Sequence, residues 1–165
     1  MGLPNAGKST LISNITNSKS KIGNYAFTTL DPELGVMENE RKKITIADLP
    51  GIIEGASQGL GLGTKFLKHA YRTKFLLHLV DGTQTTQDAL KSFDIIEKEL
   101  ADFHLDFSHQ KRWICITKTD LIDQKSLSEL ILEFQTKYPS NAIYPISSIT
   151  GDGLDILSEE LFKQI

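Results

Sequence analysis

Residues Gly2-Leu3-Pro4-Asn5-Ala6-Gly7-Lys8-Ser9 fit the spacing G-x-x-x-x-G-K-S/T without a mismatch. The chemistry of this pattern is the holding of a polyphosphate. Small residues let successive backbone N–H groups turn inward around an anion. The Lys8 ammonium reaches the terminal phosphates and the Ser9 hydroxyl is a hard oxygen ligand for Mg²⁺. A helix pattern starts near Ser9 and Thr10, and its positive end points at the same charge.

Further candidates follow in order along the chain. Asp48-Leu49-Pro50-Gly51 closes the run KITIA. A carboxylate there can hold Mg²⁺ opposite Ser9, and Gly51 lets a backbone N–H approach the last phosphate. The same four residues, taken alone, read as a turn. Thr117-Lys118-Thr119-Asp120 closes the run RWICI. The Asp120 carboxylate can accept both N–H groups on the Watson–Crick edge of guanine, an arrangement adenine lacks. The Lys118 stem can lie along the face of the base. The competing reading of Asp120 is a helix N-cap. Ser147-Ser148-Ile149 closes the last strand pattern and offers a backbone N–H to a base carbonyl, or is only a serine-rich turn. In Tyr25 to Asp31, a threonine can close the Mg²⁺ shell when a third phosphate is present.

These residues need a scaffold that brings strand ends together, and the hydrophobic pattern supplies one. Strand patterns at 34–38, 43–47, 75–81, 112–117 and 141–147 alternate with helix patterns at 64–72, 86–103, 126–138 and 153–164. Residues 18–32 and the glycine-rich stretch 51–63 read as loops. Apolar strands separated by helices imply an α/β, three-layer fold with a mostly parallel sheet covered on both faces. Ligands in such sheets gather at the carboxyl ends of the strands, where each of these motifs falls. The length of 165 residues fits one domain. A net charge of -3 argues against a broadly nucleic-acid-binding surface, and no sequence-specific nucleic-acid contact is expected. One cysteine, Cys115, excludes an intrachain disulfide and reads as a buried strand thiol. No run approaches the ~20 apolar residues that cross a bilayer, so no membrane partner is expected and a cytoplasmic location is the default.

The order of these motifs resembles the five sequence boxes of a translation-factor-class P-loop GTPase. GLPNAGKST, FTTLDPELGV and ADLPGIIEGASQGLGLGTKFLKH are together similar to the G domain of the Obg (CgtA) GTPases. The resemblance implies one GTP-binding domain over residues 1–165 that binds GTP and GDP with Mg²⁺ and hydrolyses GTP slowly. The implied role is a nucleotide switch in ribosome assembly or in growth and stress control, with the large ribosomal subunit engaged through domains outside this stretch. The alternative is a guanine-nucleotide-binding module without turnover, or a truncated, weakly active fragment. Carried over by motif, Gly2 to Thr10 bind phosphate, and Ser9, Thr29 and Asp48 hold the metal. Phe27, Thr28, Thr29, Leu30 and Asp31 form the first switch, and Asp48 to Gly51 begin the second. Thr117 to Asp120 and Ser147 to Ile149 form the base site. Lys8, Asn5 and Thr29 are the residues set at the reacting phosphate. Asn5 stands where cation-dependent relatives bind K⁺; the other reading is that it only shapes the loop.

Departures from that pattern carry their own expectations. Thr117 replaces an asparagine, Ala26 a proline, and Ile52 follows Gly51 where a water-orienting glutamine would serve. Only Met1 precedes Gly2, whereas the resemblance places a strand before the loop, in the centre of the sheet between the strands ending at Asp48 and Asp81. Without it, both neighbours carry unpaired main-chain groups. The expected outcomes are that they close up, that another chain fills the gap, or that the fragment is unstable.

Overall fold

The computed structural model describes residues 1–16, 21–22, 33–48, 70–102, 106–107 and 110–164. Six strands and four α-helices are defined there. They are β1 (Lys21–Ile22), β2 (Glu33–Glu38), β3 (Lys43–Ala47), β4 (Phe75–Asp81), β5 (Lys111–Thr117) and β6 (Ala142–Pro145), with α1 (Lys8–Ile15), α2 (Thr86–Asp102), α3 (Gln124–Lys137) and α4 (Leu154–Lys163). The strands form two three-stranded sheets. One is antiparallel, in the order β1-β2-β3, and the other parallel, in the order β4-β5-β6.

The parallel sheet follows from the pattern of β4 and β5, whose residues are buried on both faces. Along β5, Ile114 and Ile116 pack with Val80, Phe93 and Phe134 on the side of α2 and α3. Trp113 and Cys115 pack with Leu11, Leu157 and Leu161 on the side of α1 and α4. Period-two alternation with both sets apolar is what a covered strand requires. Parallel neighbours need long crossovers, and α2 and α3 supply them. Each has a polar start. Asp123 accepts from the N–H groups of Lys125 and Ser126 ahead of α3. Ahead of α2, the Thr85 hydroxyl bonds Asp88 Oδ2 at 2.7 Å and accepts from the Asp88 N–H at 3.2 Å. Phe93 and Phe134, both wholly buried and edge-to-face with ring centres 5.6 Å apart, anchor this side. Each contributes about 1.5–3 kcal/mol of burial. Cys115 is fully buried and burial pushes its thiol up to about 12, which leaves it inert.

The expected element order holds, with small corrections at the ends. β5 begins at Lys111 and α3 at Gln124, and β6 is confined to Ala142–Pro145. Within 18–32, read as a loop, Lys21–Ile22 pairs with Leu34 and Glu33 of β2. Two residues carry no periodicity of their own; the pairing comes from the neighbouring strand. The helix pattern at 64–72 is described only at its end, where residues 70–71 are helical.

Between the two sheets, β3 and β4 are not hydrogen-bonded to each other. Met1 lies there. Its amine donates to the Leu77 carbonyl at 2.8 Å and its carbonyl accepts from the Leu79 N–H at 2.8 Å. This is a one-residue parallel bridge onto β4. The central position expected for a whole strand is filled, among the described residues, by this single residue, and the neighbouring strands have not closed up.

Candidate functional site

The loop 2–8 leaves Met1 and turns into α1. Asn5 and Gly7 have φ of 65° and 84°. This left-handed backbone suits glycine and is tolerated by asparagine. No side chain caps α1, and its first internal bond runs from the Leu11 N–H to the Gly7 carbonyl. The amides of Lys8, Ser9 and Thr10 therefore point out of the helix start, as an anion site requires. Lys8 Nζ lies across the loop, 3.1 Å from each of the carbonyls of Gly2 and Leu3.

Asp48, one residue beyond β3, is buried. Its Oδ2 accepts from Ser9 Oγ at 3.2 Å, and its Oδ1 has no hydrogen-bond partner among the described residues. A buried carboxylate oxygen left open beside a hydroxyl is a hard-oxygen donor pair that fits Mg²⁺. The structure brings Ser9 and Asp48, the residues read from the sequence as a metal pair, into contact.

The second part of the site lies at the carboxyl ends of β5 and β6. The Thr117 hydroxyl sits 3.0 Å from the Ala6 carbonyl and 3.1 Å from the Val80 carbonyl, fully buried. It ties the loop after β5 to the phosphate-type loop and to β4. Lys118 takes a left-handed φ of 59° and its Nζ pairs with Asp81 Oδ2 at 2.5 Å. Burial works against the Asp81 carboxylate, but hydrogen bonds from Lys118 and Thr83 hold its pKa below the ordinary value. Thr119–Leu121 make a single 3₁₀ turn, and Asp123, not Asp120, caps α3. Asp120 is thus free of the capping role. Its Oδ1 accepts from Ser147 Oγ at 2.6 Å. The same Ser147 oxygen accepts from the N–H groups of Ile149 and Thr150. The Ser148 N–H has no hydrogen-bond partner among the described residues. The Ile149 side chain is exposed.

One contributor was not legible as a site residue: Asp81 steers Lys118 from 37 positions away. Ser147, expected in the base site through its backbone, fixes the Asp120 carboxylate by its side chain. A carboxylate ending a buried strand was the available signal for Asp81. Phe27, Thr28, Thr29, Leu30, Asp31, Leu49, Pro50 and Gly51 lie outside the described residues.

Comparison with known proteins gives the family and the fold. The model for the 50S ribosome-binding GTPase family matches residues 1–118. A protein named GTPase Obg from Elusimicrobium minutum is 44% identical over 166 residues, covering 100% of this chain and 36% of that protein. Its namesake from Pelagibacter ubique is 39% identical, covering 100% of this chain and 50% of its own length. The chain thus spans a third to a half of these curated relatives. Among solved structures, Era in complex with MgGDPNP and a stretch of 16S ribosomal RNA superposes with a TM-score of 0.76 at 28% identity, over 98% of this chain and 54% of that one. The G domain of the Thermotoga maritima FeoB iron transporter shares the fold, with a TM-score of 0.68 at 21% identity over 98% of this chain and 93% of its own. With its phosphate-type loop, paired Ser9 and Asp48 and folded base-side loops, the chain belongs to the 50S ribosome-binding GTPase family.

Proposed function

We propose that this chain is a guanine-nucleotide switch that binds GDP and GTP with Mg²⁺ and hydrolyses GTP slowly. The observation that carries the reading is the Ser9–Asp48 pair with its open carboxylate oxygen, set against the uncapped start of α1. The amides of Lys8, Ser9 and Thr10 and the Lys8 ammonium, released from the Gly2 and Leu3 carbonyls, take the phosphates. Mg²⁺, when bound, would supply positive charge that offsets the charge of the phosphates. Ser9, Asp48 and Thr29 are its proposed ligands.

At the other end of the pocket, Asp120 is the guanine reader and the Ser148 N–H the donor to the base carbonyl. Lys118, braced by Asp81, covers the base. In hydrolysis a water oxygen bonds to the γ-phosphorus, the bond to the bridging oxygen breaks, and GDP and phosphate leave. Ile52 has no group that orients this water, which supports a slow intrinsic rate. Asn5 is the proposed K⁺ ligand, adding fixed positive charge at the loop. The large ribosomal subunit is the proposed partner, following the description of the family.

Calorimetric titration of the 165-residue chain tests the binding reading. GDP with Mg²⁺ is expected to bind at least a hundredfold more tightly than ADP, and the Asp120→Ala variant is expected to lose that preference. Equal affinity for the two nucleotides would remove the guanine assignment. Single-turnover hydrolysis in K⁺ is expected to exceed that in Na⁺, and Asn5→Ala to erase the difference; equal rates in the parent would end the K⁺ role. A second reading, a binding module without turnover, is favoured by Ile52, which has no group to orient the attacking water. Multiple-turnover phosphate release separates it from a GTPase.

A further inference from the structure

At the other end of the parallel sheet from the candidate nucleotide site, a cavity of about 510 Å³ opens beside the amino ends of β5 and β6. Arg112 is the second residue of β5 and Thr117 its last, so the two sites stand about 17 Å apart along the strand. They share no residue. Phe93 of α2, Phe107 and Tyr138 give the cavity ring walls, and Arg112, Ser140 and Asn141 give it polar groups. A concave space of this size, with aromatic sides and a few converging polar groups, is the usual form of a small-molecule site. Its parts hold one another in place. The Phe93 and Tyr138 ring centres lie 4.5 Å apart. The Tyr138 hydroxyl donates to Asp94 Oδ1, and the Asn141 N–H donates to the Tyr138 carbonyl at 3.1 Å.

The polar floor offers both a donor and an acceptor. Trp113 pairs with Ala142 across the two strands, which sets Arg112 beside Asn141. Asn141 Nδ2 donates to the Arg112 carbonyl at 3.1 Å, which leaves Asn141 Oδ1 free to accept. The Arg112 guanidinium donates from Nη1 to Glu97 Oε2. Its Nε and Nη2 have no partner among the described residues, and neither they nor Asn141 Oδ1 is sealed off by protein. Guanidinium N–H groups form a planar fork, so an open donor edge stands next to an open acceptor. The charge here is balanced. Glu97 is the only carboxylate among the described lining residues, and Arg112 holds it. The Lys111 ammonium turns away, over the Phe75 ring and onto Gln164 Oε1. A neutral floor gives no net return for desolvating an ion.

A ligand that fits is flat, apolar on its faces, uncharged, and carries an acceptor next to a donor on one edge. A carboxamide or lactam on an aromatic ring has that edge, C=O beside N–H. We propose that this cavity binds a small neutral aromatic amide, its carbonyl accepting from Arg112, its N–H donating to Asn141 Oδ1 and its ring lying against Tyr138. Glu97 holds the guanidinium by its Nη1 end and so leaves the rest of the fork for the ligand. The site stands apart from the nucleotide site, so its test does not depend on GTP.

The test is a titration of the isotope-labelled 165-residue chain with benzamide, read by two-dimensional NMR. Saturable shifts are expected at the Arg112 Nε–H, the Asn141 side-chain amide and the Ser140 main-chain amide, with none at Gly2 to Ser9 or at Asp120. The dissociation constant is expected at about 1 mM, as for other ligands of this size, and unchanged by saturating GDP with Mg²⁺. N,N-dimethylbenzamide keeps the carbonyl and lacks the N–H; benzoate lacks the donor and adds a charge. Each is expected to bind about tenfold more weakly. Arg112→Lys keeps a cation for Glu97 but loses the fork, and should also weaken benzamide about tenfold. Ser140→Trp fills the mouth from an exposed position. It should abolish binding with an unchanged urea midpoint, which separates a blocked site from a damaged fold. The proposal is overturned if benzamide gives no saturable shifts, if benzoate or the dimethyl amide binds as tightly, if GDP displaces benzamide, or if Ser140→Trp leaves binding intact.

Discussion

His78 lies fully buried in the middle of β4, stacked on Phe93 with ring centres 4.1 Å apart. Its Nδ1 is 3.6 Å from Glu97 Oε1, too long for a hydrogen bond, and neither atom has a partner among the described residues. Glu97 is held instead by Arg112. Burial drives the imidazole pKa down to about 4 from 6.5, against the pull of Glu97. The unfolded chain therefore binds the proton first as pH falls, and the folded state loses stability between about 6.5 and about 4. The expected loss reaches about 3 kcal/mol. Urea unfolding of the parent and of His78→Phe at several pH values checks this. The variant should show a flatter profile across that window, and a parallel profile would place the acid sensitivity elsewhere. At Thr117 the residue scale reads differently. The sequence marks it as a departure from the asparagine of the resemblance; in space its hydroxyl serves two buried carbonyls, a role the short side chain fills without an amide.

Among the elements, α1 and β2 approach closely at Gly35. A Cβ at Gly35 would stand 2.3 Å from Thr16 Cγ2 and 2.8 Å from Ile12 Cγ2. Gly35 lets α1 settle onto the strand, and so fixes where Ser9 stands relative to Asp48. Gly35→Ala is expected to destabilise the fold by about 1–3 kcal/mol and to weaken nucleotide binding, with partial recovery on adding Thr16→Ser. Denaturant titration with a parallel GDP titration checks both parts, and an unchanged midpoint would show that α1 shifts freely. Element type was legible wherever the pattern was long, as in α2 with Ala89, Phe93, Ile96 and Leu100 buried on one side. It was illegible for β1, which owes its pairing to Glu33 and Leu34. The base-side loop was legible in its motif but not in its caps. TKTD invites a helix start, yet Lys118 turns left-handed, a 3₁₀ turn intervenes, and Asp123 begins α3. Such detours depend on tertiary partners such as Asp81 and Ser147, which no local window contains.

At the scale of the whole molecule, among the described residues, the carboxyl ends of β3 and β5 both meet the loop 2–8, at Ser9 and Ala6. The parallel sheet is sandwiched between helix pairs, whereas the β1-β2-β3 sheet rests on α1 and is not hydrogen-bonded to β4. Stability should be uneven in the same way. Amides of β2 and β3 are expected to exchange faster than those of β5. Saturating GDP with Mg²⁺ should narrow the gap, by about 2.7 kcal/mol at a hundred times its dissociation constant, and ADP should leave it unchanged. Identical exchange in both sheets without nucleotide would show a single cooperative unit.

The Thr117 hydroxyl bond to Ala6 has a mechanical consequence. It is a rivet between the turn that would grip phosphate and the turn that would grip the base, placed where a bridging ligand spans two bodies. A nucleotide seated across both turns would act as a second fastener in parallel, beside the apolar core of Leu11, Ile44, Trp113 and Leu161 that already joins the two sheets.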